Sequence, residues 1–318
     1  MPIAVKSSRL RRQPGKPPAA AKRAPKIEAP WSLRMVRGLQ ILELAPFKKF
    51  PWLAHGFSTR TGGASVLASG ERVLNLGFTE WDRREAVQKN RGAFQSAVGA
   101  DELTPVALRQ FHSAVIRFFP SAPAEPCKGD ASLTNEAGLL LAVQTADCVP
   151  ILLVDPNKRA VAAIHAGWRG TLARIAEKTV GQMRMRFGSK PFDIIAAVGP
   201  AIGGCCYEVG TELVTKFTAQ FADAEEWFDE LRTGDEPNPL QWLNMMPPGH
   251  QPPPKNVRLD LRKANRAQLL ASGLAGKNVY ISDLCTACHT DLLFSYRKEA
   301  DGSGRLMSVV GIRSEKFS

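Results

Sequence analysis

The chain has 318 residues, 44% of them hydrophobic, which is enough for one large core or two modest ones. No apolar run approaches the roughly 20 residues needed to span a bilayer, so the composition favours a soluble globular protein with no membrane partner. The formal net charge is +12, but eight of the positive charges precede Glu28. The rest of the chain is only mildly basic, and nucleic acid is not predicted as a partner.

The first segment, residues 1–30, is basic and rich in proline and alanine, and it lacks both apolar periodicity and the apolar centre of a signal peptide. Such a segment buries too little surface to offset its ordering entropy, so we predict a disordered tail. A targeting segment and an arm that touches RNA or a membrane are the alternatives. Six cysteines without an export signal indicate a reducing compartment, and the cytoplasm is the predicted location.

Strands and helices alternate irregularly from Leu139 onward. Apolar patterns and turn signals predict strands over Leu139–Gln144, Pro150–Val154, Val161–His165, Phe192–Val198, Val279–Ser282, Leu292–Tyr296 and Leu306–Ile312. They predict helices over Thr171–Phe187, Thr211–Phe221 and Arg262–Ser272, the first of them capped by Gly188.

Residues 223–256 form a long irregular insertion between two of these helices, and loops of that length are either functional lids or disordered. No glycine fingerprint of a dinucleotide-binding fold opens a strand–helix unit. We therefore predict one α+β domain over residues 31–318, with mixed β-sheets flanked by helices.

Cys148 precedes one predicted strand and His165 ends the next, so pairing of the two strands would place a thiol and an imidazole at one sheet edge. His112, just ahead of the apolar run Val115–Phe119, is the best candidate for a third ligand in a chain with five histidines. Two imidazoles and one thiolate suit zinc and leave a position open for water or substrate. Spacing alone leaves two other interpretations open, since Cys148 and His165 could pack in the core or form a nucleophile–base pair.

Five motifs add a resemblance to a known family. They are, in chain order, HGFSTRTGG followed by NLG, TADCVPILLVDP, AIHAGWRGT, GPAIGGCCYEVG and FSYRKEADGSGR. Between His55 and Ile312 they resemble the laccase-domain purine nucleoside phosphorylase family, formerly called the multicopper polyphenol oxidase family. The resemblance implies mixed sheets layered between helices, an αββα arrangement similar to the catalytic fold of the cytotoxic necrotizing factors.

The resemblance also implies a ligand set and an activity. His112, Cys148 and His165 match the family's zinc ligands, and Ser113 stands where a glycine is common. The implied reaction is zinc-dependent phosphorolysis of adenosine, inosine and methylthioadenosine, with an accompanying adenosine deaminase activity. The implied ligands are a purine nucleoside and phosphate.

Four further residues in these motifs are candidates for substrate binding and catalysis. Arg60 and Arg169 are the two candidates for binding phosphate and for catalysis, and the sequence does not decide between them. Arg60 precedes Gly62-Gly63, which allow close approach of a ligand, and Arg169 lies at the start of a predicted helix, where backbone amides favour an anion. Asn75 is predicted to contact the sugar or the base. Asp147 is predicted to support the metal site or to act as an acid or base.

Three alternatives to the nucleoside enzyme are considered. One is a hydrolase or deamidase that uses Cys148 and His165, and another is a non-enzymatic zinc-binding module. The third is a copper-loaded polyphenol oxidase. Copper is able to bind such a site in vitro, but a four-copper array draws on about ten histidines and this chain has five.

Two cysteine patterns are given no metal role. Cys285-Thr-Ala-Cys288-His289 matches a haem-attachment pattern, but no export signal precedes it, and the resemblance to the family's Cys-Thr segment explains Cys285 without haem. Cys205-Cys206 is interpreted as a turn beside the site.

Overall fold

The computed structural model describes residues 27–230 and 256–314. The strands within these ranges are β1 (Trp31–Val36), β2 (Leu39–Leu44), β3 (Leu53–Ser58), β4 (Thr61–Val66), β5 (Arg72–Val73), β6 (Thr104–Ala107), β7 (Ile116–Phe118), β8 (Ala131–Thr134), β9 (Leu139–Thr145), β10 (Val149–Asp155), β11 (Ala160–Ala166), β12 (Ile195–Val198), β13 (Glu208–Gly210), β14 (Phe228–Glu230), β15 (Asn256–Leu259), β16 (Val279–Ile281) and β17 (Leu306–Ile312). The helices within them are α1 (Arg84–Ala97), α2 (Trp168–Leu172), α3 (Ile175–Phe187), α4 (Glu212–Thr218), α5 (Leu261–Ala271) and α6 (Tyr296–Glu299).

Two six-stranded mixed sheets form the centre of the fold. The first has the order β1-β2-β3-β17-β9-β6, and the second has the order β16-β12-β10-β11-β8-β7. Edge strands β6, β7 and β16 pair in parallel with their neighbours, whereas the central strands are antiparallel. Strands β10 and β11 are buried along their whole length, as expected for continuous apolar strands that are covered on both faces.

Three apolar clusters divide the molecule into four layers. The central cluster joins the two sheets and contains Val143 and Val310 of the first sheet with Leu152 and Val161 of the second. Helix α1 packs on the outer face of the first sheet, and α3 and α5 pack on the outer face of the second. This arrangement confirms the predicted α+β fold with sheets layered between helices. None of the helices in the described part of the chain is long and apolar enough to cross a membrane.

The predicted helix over Thr171–Phe187 is wrong in its continuity. Arg174 has a left-handed backbone (φ 61°), and this residue separates α2 from α3. The Arg174 guanidinium donates to the Glu177 carboxylate and to the Gln220 carbonyl, which stabilises the break. The predicted cap is observed, because Gly188 is left-handed at the end of α3.

The predicted strand over Leu292–Tyr296 is also wrong. The amides of Leu292 and Leu293 both donate to the His289 carbonyl, so this segment forms a turn rather than a ladder. Its apolar side chains are buried nevertheless, and Phe294 is fully inaccessible. An apolar run marks burial here, and it does not mark a strand.

Most of the predicted insertion and tail lie outside the described residues, at 231–255 and 1–26. The two ends of the insertion meet, since β14 and β15 are antiparallel neighbours. Strand β13 completes a small three-stranded sheet with them. Both ends of the insertion therefore belong to one small sheet.

His55, which is not one of the predicted site residues, lies in β3 and is buried, with 7% of its surface exposed. Its Nε2 accepts a hydrogen bond from the Leu44 amide, so the imidazole is neutral at that nitrogen. Burial lowers the pKa of His55 to about 4; Glu43 opposes this shift, and Lys48 and Arg313 add to it. This histidine is a structural residue of the first sheet.

Because the pKa of His55 is lower in the folded chain than in the unfolded chain, the unfolded chain binds the extra proton between about pH 6.5 and 4. The contribution of His55 to stability is complete above this window and is lost as the pH falls through it. We expect His55→Gln, which keeps an acceptor for the Leu44 amide, to remove this dependence. Urea unfolding at pH 7 and pH 5 should show a loss about 2 kcal/mol larger for the wild type than for the variant. Equal losses would contradict the assignment.

Candidate active site

The hairpin of β10 and β11 brings Cys148 and His165 together. The strands are antiparallel, with Pro150 opposite His165 and Val149 opposite Ala166. Cys148 immediately precedes β10, so its side chain lies at the same sheet edge as His165. The predicted pairing of these two strands is confirmed.

His112 reaches the same edge from the loop that follows β6. Its backbone is left-handed (φ 61°), and its Nε2 lies 3.8 Å from the Cys148 Sγ. The His112 and His165 rings lie 4.9 Å apart in an edge-to-face arrangement. One ligand atom from each of the three residues lies within 4.8 Å of the other two. The structure therefore brings the three predicted ligands into one group.

The carboxylate of Asp130 holds His165 and the His112 loop in position. Asp130 is fully buried, and one of its oxygens lies 2.8 Å from the His165 Nδ1. The same carboxylate accepts hydrogen bonds from three consecutive backbone amides, those of Phe111, His112 and Ser113. One side chain therefore orients the ring of one ligand and holds the loop that carries another.

Ser113 and Gln110 secure the His112 loop further. The Ser113 hydroxyl donates to Asp130 at 2.6 Å, so the serine at this position adds a bond that a glycine cannot make. The Gln110 amide group donates to the Gln144 carbonyl and accepts from the Gln144 amide, which ties the loop to the end of β9. The segment that contains Asp147 and Cys148 follows directly after the end of β9.

The ionisation of the group follows from these contacts. Burial alone disfavours the charged form of Asp130, but hydrogen bonds from His165 and Ser113 lower its pKa to about 2. Burial likewise opposes a charge on His165, yet the bonds to Asp130 and Cys148 raise its pKa to about 9. Burial raises the pKa of Cys148, but its hydrogen bonds to His112 and His165 outweigh this effect and lower the pKa to about 6. The two shifts have a common cause, because a charge on the Cys148 sulfur and a charge on the His165 ring each favour the other.

The donor set suits a metal ion. With Nδ1 bonded to Asp130, His165 presents Nε2 to the group, and the lowered pKa of Cys148 favours the thiolate, which is the ligand form of cysteine. Gly167 keeps the space clear, because a β-carbon there would lie 3.0 Å from both the Cys148 Sγ and a His112 ring carbon. Among the described residues no fourth acidic, thiol or imidazole side chain joins the group. Three protein ligands with one open position are typical of catalytic zinc.

The group opens into a cavity of about 910 Å³. Its wall contains aromatic, cationic and polar side chains, and it is formed by residues from distant parts of the chain. The aromatic lining residues are Phe78, Trp168, Tyr207 and Tyr296, and the arginines are Arg169, Arg297 and Arg305. A mixed wall of this size is suitable for an aromatic ligand that also carries an anion.

Two further predicted site residues line this cavity. The Arg169 guanidinium stacks 4.4 Å from the Trp168 ring centre, and the side chain is exposed. Asp147 has a left-handed backbone (φ 87°), and its carboxylate accepts from the Thr286 hydroxyl at 2.5 Å and from the Arg297 amide at 2.6 Å. Asp147 therefore ties the metal-site turn to the C-terminal loops, whereas the residue that orients His165 is Asp130.

Arg60 lies behind the cavity wall. Its side chain is 5% exposed and pairs with Glu299 at 2.6 Å. It also donates to the Thr290 carbonyl and stacks on Phe294. These contacts hold the segment that carries Tyr296 against the domain.

Asn75 is also behind the wall and is fully buried. Its amide group donates to Asp82 and to the Gly77 carbonyl, and its oxygen accepts from the Arg305 amide. It therefore shapes the part of the wall formed by Phe78 and Arg305. Neither Arg60 nor Asn75 contributes to the cavity lining.

Three residues of the site were missed by sequence reasoning. Asp130 follows Gly129 just before a short strand, and no pattern in the sequence links it to a histidine 35 positions away. Arg297 and Arg305 stand within the motif FSYRKEADGSGR, so the motif was a signal for them, although their place in the cavity depends on the tertiary fold.

Comparison with known proteins places this chain in a family. The sequence model of the family described as multi-copper polyphenol oxidoreductase laccase matches residues 54–313, so the chain belongs to that family. The protein named purine nucleoside phosphorylase YlmD from Geobacillus stearothermophilus is 35% identical over 274 residues, which cover 82% of this chain and 90% of the relative. A purine nucleoside phosphorylase from Deinococcus radiodurans is 37% identical over 271 residues, covering 84% and 93%.

The fold comparison agrees with the sequence comparison. The crystal structure of the Bacillus licheniformis hypothetical protein YfiH superposes with a TM-score of 0.73 at 28% identity, covering 90% of this chain and all of that one. Despite the family's description, only one of the two possible metal-binding groups among the described residues contains histidine. A multi-copper site receives no support from this arrangement.

Asp130→Asn should weaken metal binding at His112, Cys148 and His165, because the amide keeps the size of the side chain but loses the charge and one of the two acceptor oxygens. We expect a roughly 10- to 100-fold loss of zinc affinity, measured by competition with a chromogenic chelator. Asp155→Asn is the matched control. Asp155 is equally buried at the opposite end of the same hairpin, where it accepts from two turn amides. Unchanged affinity in the Asp130 variant would show that this carboxylate does not organise the site.

Proposed function

We propose that the chain is a zinc-dependent purine nucleoside phosphorylase acting on adenosine, inosine and methylthioadenosine, with adenosine deaminase as a second activity. The observation that carries this proposal is the opening of the His112, Cys148 and His165 group into a cavity with both aromatic and cationic walls. The names of the relatives support the same reaction class. The purine nucleoside and phosphate are the expected ligands.

The aromatic part of the wall suits the purine. Trp168 and Tyr207 are partly buried, whereas Phe78 and Tyr296 are 49% and 50% exposed. Flat rings of this kind stack on a heteroaromatic base and bury it at little cost in side-chain entropy. Gln110 and Gln144 line the same space and offer amide groups for polar contacts.

Arg169 is the best candidate for the phosphate ligand. Among the described residues, no ion pair or hydrogen bond holds its guanidinium, which only stacks on Trp168. Arg60, in contrast, is buried and already paired with Glu299, so it would have to leave that partner to bind phosphate. Arg305 is a second cation of the cavity, and its guanidinium is partly used by the carbonyls of Ser303 and Gly304.

Some residues of the chain would hold the metal ion, and others position the loops around it. When bound, zinc would supply a Lewis acid that lowers the pKa of a bound water towards about 7 and attracts an oxyanion. His112, Cys148 and His165 would hold it, and Asp130 would keep His165 in the tautomer that presents Nε2. Asp147 and Arg60 act as positioning residues, through the loops that they hold. In phosphorolysis the phosphate oxygen bonds to the sugar's C1′ while the bond from C1′ to the purine nitrogen breaks.

Three further expectations belong to this proposal. All six cysteines are free thiols in the structure, which supports a reducing location such as the cytoplasm. The central cluster shared by the two sheets supports a single domain over residues 31–318. Copper is able to occupy the same three ligands in vitro because it binds such donors more tightly than zinc does.

A cysteine hydrolase is the second candidate, and one observation favours it. The Cys148 thiol has a pKa lowered to about 6 and lies 3.8 Å from an imidazole nitrogen, which is a feature of nucleophilic cysteines. The two candidates respond oppositely to reagents. Removing metal with a chelator should abolish nucleoside turnover, and adding zinc back should restore it. Turnover that survives metal removal but not thiol alkylation would support the hydrolase instead.

His165→Ala should remove both phosphorolysis and deamination, because both depend on the metal group.

Arg169→Met should lower phosphorolysis by about 10²-fold while affecting adenosine deamination less, because deamination uses no phosphate. Arg184→Met is the matched control, since Arg184 is exposed on α3 and does not line the cavity. The measurement follows hypoxanthine, adenine and inosine by chromatography, with and without phosphate. Equal losses of both activities in the Arg169 variant, with zinc content unchanged, would mean that Arg169 holds the nucleoside.

A further inference from the structure

A second group of potential metal ligands lies outside the His112, Cys148 and His165 site. It consists of Cys205, Cys206, Cys285 and Cys288, whose four Sγ atoms lie within 4.8 Å of one another. Cys205 and Cys206 belong to the turn before β13, and Cys285 and Cys288 belong to the segment after β16. We propose that these four thiolates form a structural site for a thiophilic divalent metal ion, with zinc the best chemical match.

The spacing of the sulfur atoms fits a shared ion. The Cys288 Sγ lies 3.5 Å from the Cys205 Sγ and 3.4 Å from the Cys206 Sγ. In a tetrahedral site with zinc–sulfur bonds of about 2.3 Å, neighbouring sulfur atoms lie roughly 3.8 Å apart. All four cysteines are free thiols. Only a small outward movement of the sulfur atoms would be needed to admit the ion.

The local chain conformation explains how adjacent cysteines share one site. Cys205 and Cys206 would point to opposite sides of a strand, but they lie in a turn, and both reach Cys288. The Cys285-Thr-Ala-Cys288 segment has the spacing of paired ligands in structural zinc sites. The predicted turn at Cys205-Cys206 is therefore confirmed. The sequence alone gave these cysteines no metal role, but their arrangement in the structure supports one.

Backbone contacts join the two segments at the sulfur atoms. The Gly203 amide donates to the Cys285 Sγ at 3.2 Å, as backbone amides commonly do to metal-bound thiolates. Ala201 and Cys285 form an isolated parallel bridge, and the Thr286 amide donates to the Ala201 carbonyl. Cys205 and Cys288 are exposed while Cys285 is buried, so an ion can enter from the surface.

The role of this ion would be to stabilise one wall of the cavity. Thr286, which lies between two of the cysteines, donates to the Asp147 carboxylate, and the Ile202 amide donates to the Asp147 carbonyl. Ile202 and Tyr207 flank the cysteine turn and line the cavity. The four-cysteine site would therefore fix the loops that meet the residue just before Cys148.

Zinc stoichiometry tests the proposal without reference to activity. Purified wild-type chain should contain about two zinc ions by mass spectrometry of the elements. Cys148→Ser should retain about one, and Cys288→Ser should also retain about one. Cys127→Ser is the matched control, because Cys127 is the one cysteine outside both groups, and it should keep two. Circular dichroism verifies that each variant is folded.

Cobalt substitution provides a readout that needs no variant at the four cysteines. The Cys148→Ser chain, stripped and reloaded with Co²⁺, should show the intense sulfur-to-cobalt absorption of a tetrahedral four-thiolate site, and four of its cysteines should resist alkylation. A cobalt spectrum without this absorption, with all the remaining thiols free to react, would overturn the proposal. A disulfide between these cysteines in freshly purified protein would overturn it as well. Either result leaves the His112, Cys148 and His165 site unaffected.

Discussion

The buried carboxylate of Asp130 is the interaction on which the site depends. It holds three successive amides of the His112 loop and the Nδ1 of His165, so the positions of two ligands are set by one charged group. A fully buried carboxylate is tolerable only because hydrogen bonds satisfy it, and these bonds keep its pKa low. Because His165 and Asp130 also share a backbone bond between β11 and the residue before β8, the constraint is continuous with the second sheet.

The cavity also depends on a second set of buried polar residues, of which Asp147 lies in its wall and Arg60 and Asn75 lie behind it. Arg60, Asn75 and Asp147 each connect a loop of the first half of the chain to the C-terminal segment that carries Tyr296, Arg297 and Arg305. Loops are the flexible parts of a fold, so a wall built from several of them needs such internal ties. This explains why polar motif residues lie behind a binding surface as well as on it.

Apolar patterns and the resemblance of five motifs to a known family together predicted the fold class and the grouping of His112, Cys148 and His165. Apolar runs locate β10 and β11, and their hairpin places Cys148 beside His165. Prediction from the sequence failed where the outcome depends on tertiary contacts: Arg174 breaks a helix whose apolar periodicity is continuous, and Asp130 acts on a histidine far along the chain. Arg60 was expected at the phosphate, but only the structure reveals its pairing with Glu299. The turn at Cys205-Cys206 was predicted, but its metal role was not, because that role depends on Cys288, which only the tertiary fold brings to both sulfur atoms.

The proposed function requires that His112, Cys148 and His165 hold a zinc ion whose remaining position faces the cavity. Anomalous diffraction from crystals of the zinc-loaded protein, recorded on both sides of the zinc absorption edge, tests it most directly. A zinc ion bound by these side chains should give an anomalous peak about 2.0–2.3 Å from the Cys148 Sγ and from one nitrogen of each histidine, with no fourth protein ligand. Absence of a peak at this group in crystals that contain zinc would contradict the proposed zinc site. A fourth side chain that closes the ion off from the cavity would contradict its role in catalysis.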